Sequence, residues 1–360
     1  MNAHSPARRT ASDEQPATLV AALARNAREA GSRVGFRERE HGIWREWTWT
    51  QTLDEILAIA AGLESLGLKA DEAMIVVGDN RARLYFSMLA AMSLRAWPAP
   101  LFPDTPVDEM THYARLGSPR FALAEDQEQV DKLIELRART GRPQTIIYDD
   151  PRGLVAYGEQ GLVALDDVSA EGWRLLEARP GLRDDLIGRA RGDDIAVLLY
   201  SSGTTGAPKG IPLRHRNVVG GVANALAGGY FRPHERLFAY LPTAWVGDFV
   251  FTVGGGVLLQ ATVNIPERQE TALHELREVA PAQRPVEVRS PEAPGDPDVS
   301  REPAVERRRG RPFGRRGEEP REGREPGHLE ADPPVQDAPV QLPAAREREA
   351  QRVDDLAVGE

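Results

Sequence analysis

Apolar positions in residues 17–280 recur with the two periods that mark helices and strands. Leu53, Ile56, Ala60, Leu63 and Leu66 fall on one stripe, which predicts a helix over Thr52–Leu66. The same spacing predicts helices over Thr18–Ala30, Pro106–Leu116 and Asp126–Thr140. Another is expected over Arg81–Leu94, where Leu84, Met88, Ala91 and Met92 share a face. Short apolar runs predict buried strands at Ala73–Gly78 and Ile195–Leu199, strands at Arg120–Ala124 and Thr145–Asp149, and a short extended segment at Ala96–Leu101. Within Phe36–Thr50, Trp47 and Trp49 alternate as on one strand face, so a hairpin is expected. This alternation of strand and helix places the chain in the α/β class, with a parallel sheet covered by helices.

The pattern is weaker over residues 150–193, where only a short helix at Val168–Ala178 is expected. Further on, Ile211–Leu213 reads as extended, Asn217 as the cap of a helix over Val218–Ala227, and Leu237–Leu241 as a strand. Asp248–Ile265 is the most apolar stretch, but Asp248, Gln260, Asn264 and Gly254-Gly255-Gly256 interrupt it. A membrane-spanning helix needs about 20 apolar residues. Two buried strands, Phe249–Val253 and Val257–Ile265, around a glycine turn are expected instead. Thr271–Val279 predicts an amphipathic helix with Leu273, Leu276 and Val279 on one side.

The pattern then stops. Residues 281–360 hold 13 prolines, 14 arginines and 12 glutamates, and no Ile, Met, Trp, Tyr, Thr or Lys. Such a segment cannot bury enough apolar surface to offset chain entropy, so a disordered Arg/Pro/Glu-rich tail is expected. Residues 1–16 are expected to be a flexible N-terminus. Its Arg8-Arg9 and the short apolar stretch Ala17–Ala24 do not make a secretory signal, because Asp13 and Glu14 lie between them.

Net charge is −10, which argues against a nucleic-acid partner. There is no cysteine, so disulfides and thiolate chemistry are excluded. The seven histidines have no metal-ligand spacing, and no protein metal ligands are assigned. His215 reads as a structural residue rather than a base. Asp248 fits either a turn cap or a ligand contact.

Directly after the apolar run Ile195–Leu199, the chain reads Tyr200-Ser-Ser-Gly-Thr-Thr-Gly-Ala-Pro-Lys-Gly210. Glycines let backbone N–H groups approach a ligand, hydroxyls and N–H groups can cradle phosphate oxygens, and Lys209 adds a point charge. Lysine is otherwise present only at 69 and 132. A P-loop needs a hydroxyl residue after its lysine. Gly210 stands there instead.

The segment resembles the signature loop of the adenylate-forming enzymes, which include acyl-CoA synthetases, luciferases and peptide-synthetase adenylation domains. Every position of the pattern aromatic-Ser/Thr-Ser-Gly-Ser/Thr-Thr-Gly-x-Pro-Lys-Gly is matched. Arg214-His215-Arg216-Asn217 is similar to the family's Thr/Arg-His-x-Asn. Leu241-Pro242 followed by Trp245-Val-Gly-Asp248 resembles the region beside the acyl pocket, in the form seen in large long-chain acyl-CoA synthetases.

The resemblance implies that residues 17–280 are an incomplete large N-terminal domain, a partial AMP-binding domain with mixed and parallel sheets. It implies ATP-dependent activation of a carboxylic acid, a long-chain fatty acid by type, to an acyl-adenylate and then acyl-CoA. ATP, Mg²⁺ and CoA are the implied cofactors, and the cytoplasm is the implied compartment. There is no transmembrane segment in this reading, and a peripheral contact with membrane stays open. Ser201, Ser202, Gly203, Thr204, Thr205, Gly206 and Lys209 would bind the nucleotide phosphates, and Trp245 would face the acyl chain.

The sequence contains no Tyr-Gly-x-Thr-Glu and no Thr-Gly-Asp, which in the family hold Mg²⁺ and ribose, and no lysine after Lys209. The alternative is therefore a catalytically inactive fragment that at most binds nucleotide or acyl ligand. A shift of reading frame near Pro281 would account for the change of composition, with an authentic regulatory tail as its rival. Limited proteolysis is expected to trim the chain to about residue 280, because the tail lacks apolar periodicity. A protected domain covering most of residues 281–360 would overturn that expectation.

Overall fold

The computed structural model describes residues 16–201 and 209–279, all within the first of the chain's two units, Met1–Ser290. The expected tail at 281–360, the flexible N-terminus apart from Pro16, and loop residues 202–208, with Ser202, Gly203, Thr204, Thr205 and Gly206, lie outside the described residues.

The α/β reading holds. Helix α1 (Leu19–Ala30) is capped by the Thr18 hydroxyl, which accepts from the Ala21 N–H. Strands β1 (Val34–Glu40) and β2 (Ile43–Thr48) form the hairpin, and helix α2 (Trp49–Ser65) follows at once. Trp49 is therefore not on a strand. Thr48 and Gln51 form a reciprocal capping box that starts the helix there. Leu66, expected on the apolar stripe, lies past the helix end and is exposed.

Five parallel strands make the main sheet in the order β4-β3-β5-β6-β7. They are β3 (Ala73–Val77), β4 (Trp97–Leu101), β5 (Phe121–Ala124), β6 (Thr145–Tyr148) and β7 (Leu162–Ala164). Helices α3 (Ala82–Ser93), α4 (Val107–Gly117) and α5 (Gln127–Thr140) connect them. Strand period 2 divides the sheet's side chains cleanly. Met74, Val76, Phe121 and Leu123 face the core of α2 and α3, whereas Ile75, Val77, Ala122 and Ala124 face α4 and α5.

Residues 150–193 hold more structure than their pattern predicts. Helix α6 spans Leu165–Ala178 and packs on α2, and α7 spans Leu182–Gly188. Gly62 and Gly172 permit the α2–α6 approach. A Cβ on Gly172 would sit 1.7 Å from the Ala58 carbonyl oxygen, and one on Gly62 would sit 2.0 Å from that of Val168.

The second half supplies an antiparallel ribbon of β8 (Ile195–Ser201) and β9 (Lys209–Arg214), then α8 (His215–Ala227) and β10 (Arg236–Phe238). Helix α8 begins earlier than expected. Asn217 sits in its first turn and accepts the Arg214 N–H at 2.9 Å rather than standing at the cap. Asp248–Ile265 is not two strands around a turn. A continuous helical segment, α9, runs through Val246–Asp248, a wide π turn at Phe249–Gly255, and Gly256–Leu258. Only β11 (Thr262–Ile265) is a strand. A short apolar run cannot distinguish buried strand from buried helix, and here the glycines serve packing. A Cβ on Gly254 would meet Val218 Cγ1 at 2.7 Å, and one on Gly256 would meet Val263 Cγ2 at 2.5 Å.

Strand β11 joins a second, mixed sheet in the order β10-β11-β1-β2. Helix α3 is buried all round because it lies between the two sheets. Phe86 of α3 meets Phe36 at 5.2 Å and Trp47 at 5.7 Å, both edge to face. The last helix, α10 (Ala272–Val279), buries Ala272, Glu275 and Val279 and leaves Leu273 exposed, against expectation. Glu275 turns inward because its carboxylate accepts the Glu267 N–H at 2.9 Å.

One substitution should act with opposite sign at two glycines. Gly254→Ala places a methyl against the stiff Val218 and is expected to cost about 1–3 kcal/mol. Gly220→Ala in α8 meets nothing within 4 Å and is expected to stabilise by about 0.5–1 kcal/mol. Urea unfolding of the two variants checks both signs.

Candidate functional site

The signature loop connects the ribbon's two strands. Tyr200 pairs with Gly210, and Ser201 with Lys209, so the register closes on the two described ends of the loop. Strand β8 is held by burial: Ala196, Val197, Leu198 and Leu199 are all core residues. Its partner is the outer strand, with Lys209, Gly210, Ile211 and Pro212 exposed. Pro212 is tolerated at such an edge because it has no N–H to give a further strand.

Tyr200 orients the end of β8. Its ring stacks on Tyr113 with centroids 4.2 Å apart, and burial pushes its hydroxyl pKa up. The Tyr113 hydroxyl donates to Glu109. Lys209 is exposed, and among the described residues nothing hydrogen-bonds or ion-pairs with its ammonium. The two described ends of the loop are thus a buried strand and an exposed lysine whose ammonium is unpaired among the described residues.

The other end of β8 is fastened by Asp194. Its carboxylate accepts Arg95 Nε and Nη2 at 2.8 and 2.9 Å and the Arg191 N–H at 2.9 Å. Burial alone would raise this carboxyl. The hydrogen bonds from Arg95 and Arg191 reverse that, and it lies below the usual carboxylate range. The Asp194 carbonyl accepts the His215 N–H. His215 itself is fully buried, and its Nδ1 accepts the Leu19 N–H at 3.4 Å. Burial pushes its pKa down to about 4, against the opposing pull of Asp194. A neutral, enclosed imidazole tying α8 to α1 is a structural residue, as its sequence context indicates.

Trp245 stands on a separate segment, at the start of α9. Its backbone N–H donates to the Pro242 carbonyl at 2.9 Å, and the residue is 52% exposed. Among the described residues, no hydrogen bond or ring contact joins it to Ser201 or Lys209. The two segments are linked through packing, since α9 rests on α8, which follows Lys209's strand.

Two residues that sequence reasoning passed over hold the Trp245 segment. Asn80 is nearly buried at the end of β3, and its amide donates to the carbonyls of Ala239 and Leu241 at 2.7 and 2.8 Å. A lone Asn after a strand usually marks a turn, so the sequence carried little signal. Tyr85 of α3 donates to Asp248 Oδ2 at 2.8 Å, with both side chains buried. Asp248 therefore anchors α9 to α3 and caps no turn. Burial pushes its pKa up to about 7, although the hydrogen bond from Tyr85 pulls the other way.

No helix of the described residues is long and apolar enough to cross a membrane. Nor does any group of three or more His, Asp or Glu among them form a metal-binding cluster.

Comparison with known proteins decides the family. A family model described as AMP-binding enzyme matches residues 23–285. The chain belongs to this family. Within the AMP-binding family, it is 25% identical over 230 residues to a long-chain-fatty-acid–CoA ligase, FadD15, of Mycobacterium bovis; the match covers 63% of the chain and 36% of that protein. It is 25% identical over 240 residues to the chloroplastic long-chain-fatty-acid–[acyl-carrier-protein] ligase AEE15 of Arabidopsis thaliana, covering 64% and 33%. The fold matches a fatty acyl-adenylate ligase from L. pneumophila, solved with acyl adenylate and pyrophosphate. That match has a TM-score of 0.56 at 15% identity and covers 74% of this chain and 43% of the other. The chain spans about a third of the length of the curated relatives it matches.

Asp248 gives a pH test. Its ordinary pKa is 3.8, so between about pH 4 and 7 the folded chain holds a proton that the unfolded chain has released. Its contribution to stability therefore falls as pH rises through that window. Asp248→Asn keeps an acceptor for Tyr85 and does not titrate. Urea unfolding should show wild type losing stability relative to this variant between about pH 4 and 7, by at most about 4 kcal/mol. His215 acts in the opposite direction in both proteins and cancels from the comparison. A gap that does not change with pH would refute the assignment.

Proposed function

We propose that this chain carries the phosphate-binding and acid-facing part of an enzyme that activates a carboxylic acid with ATP. In the first half-reaction a carboxylate oxygen attacks the α-phosphorus of ATP and pyrophosphate leaves. In the second a thiol, CoA, attacks the acyl carbonyl and AMP leaves. Mg²⁺ would neutralise charge on the triphosphate. The observation that carries this reading is the ribbon register, which brings Ser201 and the unpaired Lys209 together at the ends of the signature loop. A cation in a segment whose sequence is rich in hydroxyls and glycine N–H groups suits a developing pyrophosphate, because donors are worth most where charge accumulates.

In this proposal Ser201, Ser202, Gly203, Thr204, Thr205, Gly206 and Lys209 contact the phosphates. Trp245 borders the acyl chain. Its half-exposed ring precedes Val246 and Phe251, which are also exposed apolar side chains on α9. A long-chain fatty acid is the proposed substrate, supported by the names of the relatives and by this apolar border. The domain that does this is proposed to cover residues 17–280, in the cytoplasm.

A second reading rests on a specific observation: the sequence has neither Tyr-Gly-x-Thr-Glu, nor Thr-Gly-Asp, nor a lysine beyond 209. On that reading the 360-residue chain binds nucleotide without completing the reaction. Calorimetry with Mg·ATP separates the possibilities. Binding is expected, and Lys209→Ala should weaken it by roughly 10- to 100-fold, the loss of one charge-assisted hydrogen bond. Acyl-CoA formation from ATP, CoA and a fatty acid is expected to stay at background. Turnover abolished by Lys209→Ala would reject the second reading, and unaltered ATP affinity in that variant would reject the phosphate site itself.

A further inference from the structure

A cleft of about 600 Å³ opens at the N-terminal ends of β3, β4 and β8, the end of β8 opposite the signature loop. Its charged lining is Lys69, Arg95, Arg189 and Arg191 against one carboxylate, Glu64. Leu68 and Leu94, both nearly buried, form an apolar floor. The cations come from three separate connections: α2 to β3, α3 to β4, and α7 to β8.

Two of the four are committed. Arg95 holds Asp194 in a bidentate pair at 2.8 and 2.9 Å. Arg189 pairs with Glu64 at 2.6 Å and with Asp185. These bonds fix the guanidiniums in the cleft wall. Lys69 and Arg191 are different. Their backbone N–H groups are bonded, to Glu72 and Asp194, but among the described residues neither charged head has a partner. The carbonyl ends of α2, α3 and α7 lie at the rim, at Ser65, Ser93 and Gly188, and favour positive charge nearby. Arg95 and Arg189, next to two of those ends, meet that demand. Lys69 and Arg191 exceed it, and they do so in a chain whose net charge is −10.

We propose that this cleft is an anion site for a phosphate-bearing small molecule. Lys69 and Arg191 would bind the phosphate, and the tethered Arg95 and Arg189 would add field without moving. Arginine offers a planar fork and lysine a point charge, a combination that matches phosphate oxygens. The volume admits a group up to nucleotide size, since ligand pockets span about 300–1,000 Å³. Strand β8 is seven residues long, so the cleft stands about 20 Å from the signature loop and can be tested apart from it. Free phosphate esters and phospholipid headgroups share this chemistry.

The test uses the full chain carrying Lys209→Ala, which removes the loop's lysine, with inorganic pyrophosphate as the probe in calorimetry. Binding is expected, weakening as NaCl is raised. Adding Lys69→Ala and Arg191→Ala should lower affinity about tenfold or more, whereas Lys69→Arg should retain it. Both residues are exposed, so a matching urea midpoint will show that the fold is intact. Sedimentation with phosphatidylcholine vesicles, with and without phosphatidylglycerol, resolves the source. Co-sedimentation that needs phosphatidylglycerol, Lys69 and Arg191 assigns the site to a lipid headgroup. Pyrophosphate binding without it assigns a soluble ester. The proposal fails if removing Lys69 and Arg191 leaves both measurements unchanged, or if the Lys209→Ala chain binds neither probe.

Discussion

Arg81 is the point at which the two sheets are joined. It follows β3 of the parallel sheet, and its guanidinium lies between Glu125, after β5, at 2.7 Å and Glu38 of β1 at 3.8 Å. It also donates to the Glu267 carbonyl beyond β11, at 3.0 Å. Glu38 in turn accepts the Ala82 N–H at the start of α3. One side chain thus touches both sheets and the helix between them. The group is partly buried, and burial raises Glu38 to about 7 although the Ala82 N–H and Arg81 pull it down. Removing one partner from such a cluster leaves a buried charge uncompensated, which is the costly way to break it. The net worth of the intact cluster is much smaller. Its value is that it fixes where α3 enters.

Given that entry, the rest of the Trp245 segment follows from α3. Asn80 precedes Arg81 and takes the carbonyls of Ala239 and Leu241, which holds the chain just past the end of strand β10, on its way to Trp245. One turn on, Tyr85 reaches Asp248, and Phe86 wedges between Phe36 and Trp47. Polar contacts set direction here, and aromatic area supplies the stability. The buried carboxyl of Asp248 is tolerated because a hydroxyl meets it.

Those contacts also explain what could be read from the chain alone. The parallel sheet was legible because each strand is a short apolar run bounded by a periodic helix, and local pattern and tertiary burial agree. The signature loop was legible because its residue types state their chemistry. The register of its ends needed the ribbon, and the ribbon needed Asp194, whose role depends on an arginine 99 positions away. Asp248–Ile265 misled because its glycines look like a turn, whereas they thin one helix against Val218 and Val263. Leu273 misled because amphipathicity names a stripe without saying what will cover it, and Glu275 took the inward place by bonding to Glu267. Interactions between residues far apart in sequence leave no periodic trace.

Strand β8 ties these features to electrostatics. Its N-terminal end is gripped by Asp194 and Arg95 among cations, and its C-terminal end delivers Ser201 beside Lys209. Two of the chain's three lysines therefore lie near opposite ends of one buried strand. Neither ammonium is engaged among the described residues, whereas the third lysine, Lys132, is held by Glu128 and the Pro103 carbonyl. In an acidic protein rich in arginine, the arginines of the described residues are mostly spent on carboxylates. Lys69 and Lys209, like Arg191, are cations that those pairs leave open to a partner from outside the chain. The strand's own burial keeps its two ends, and so the backbone beside each of these charges, in a fixed relation.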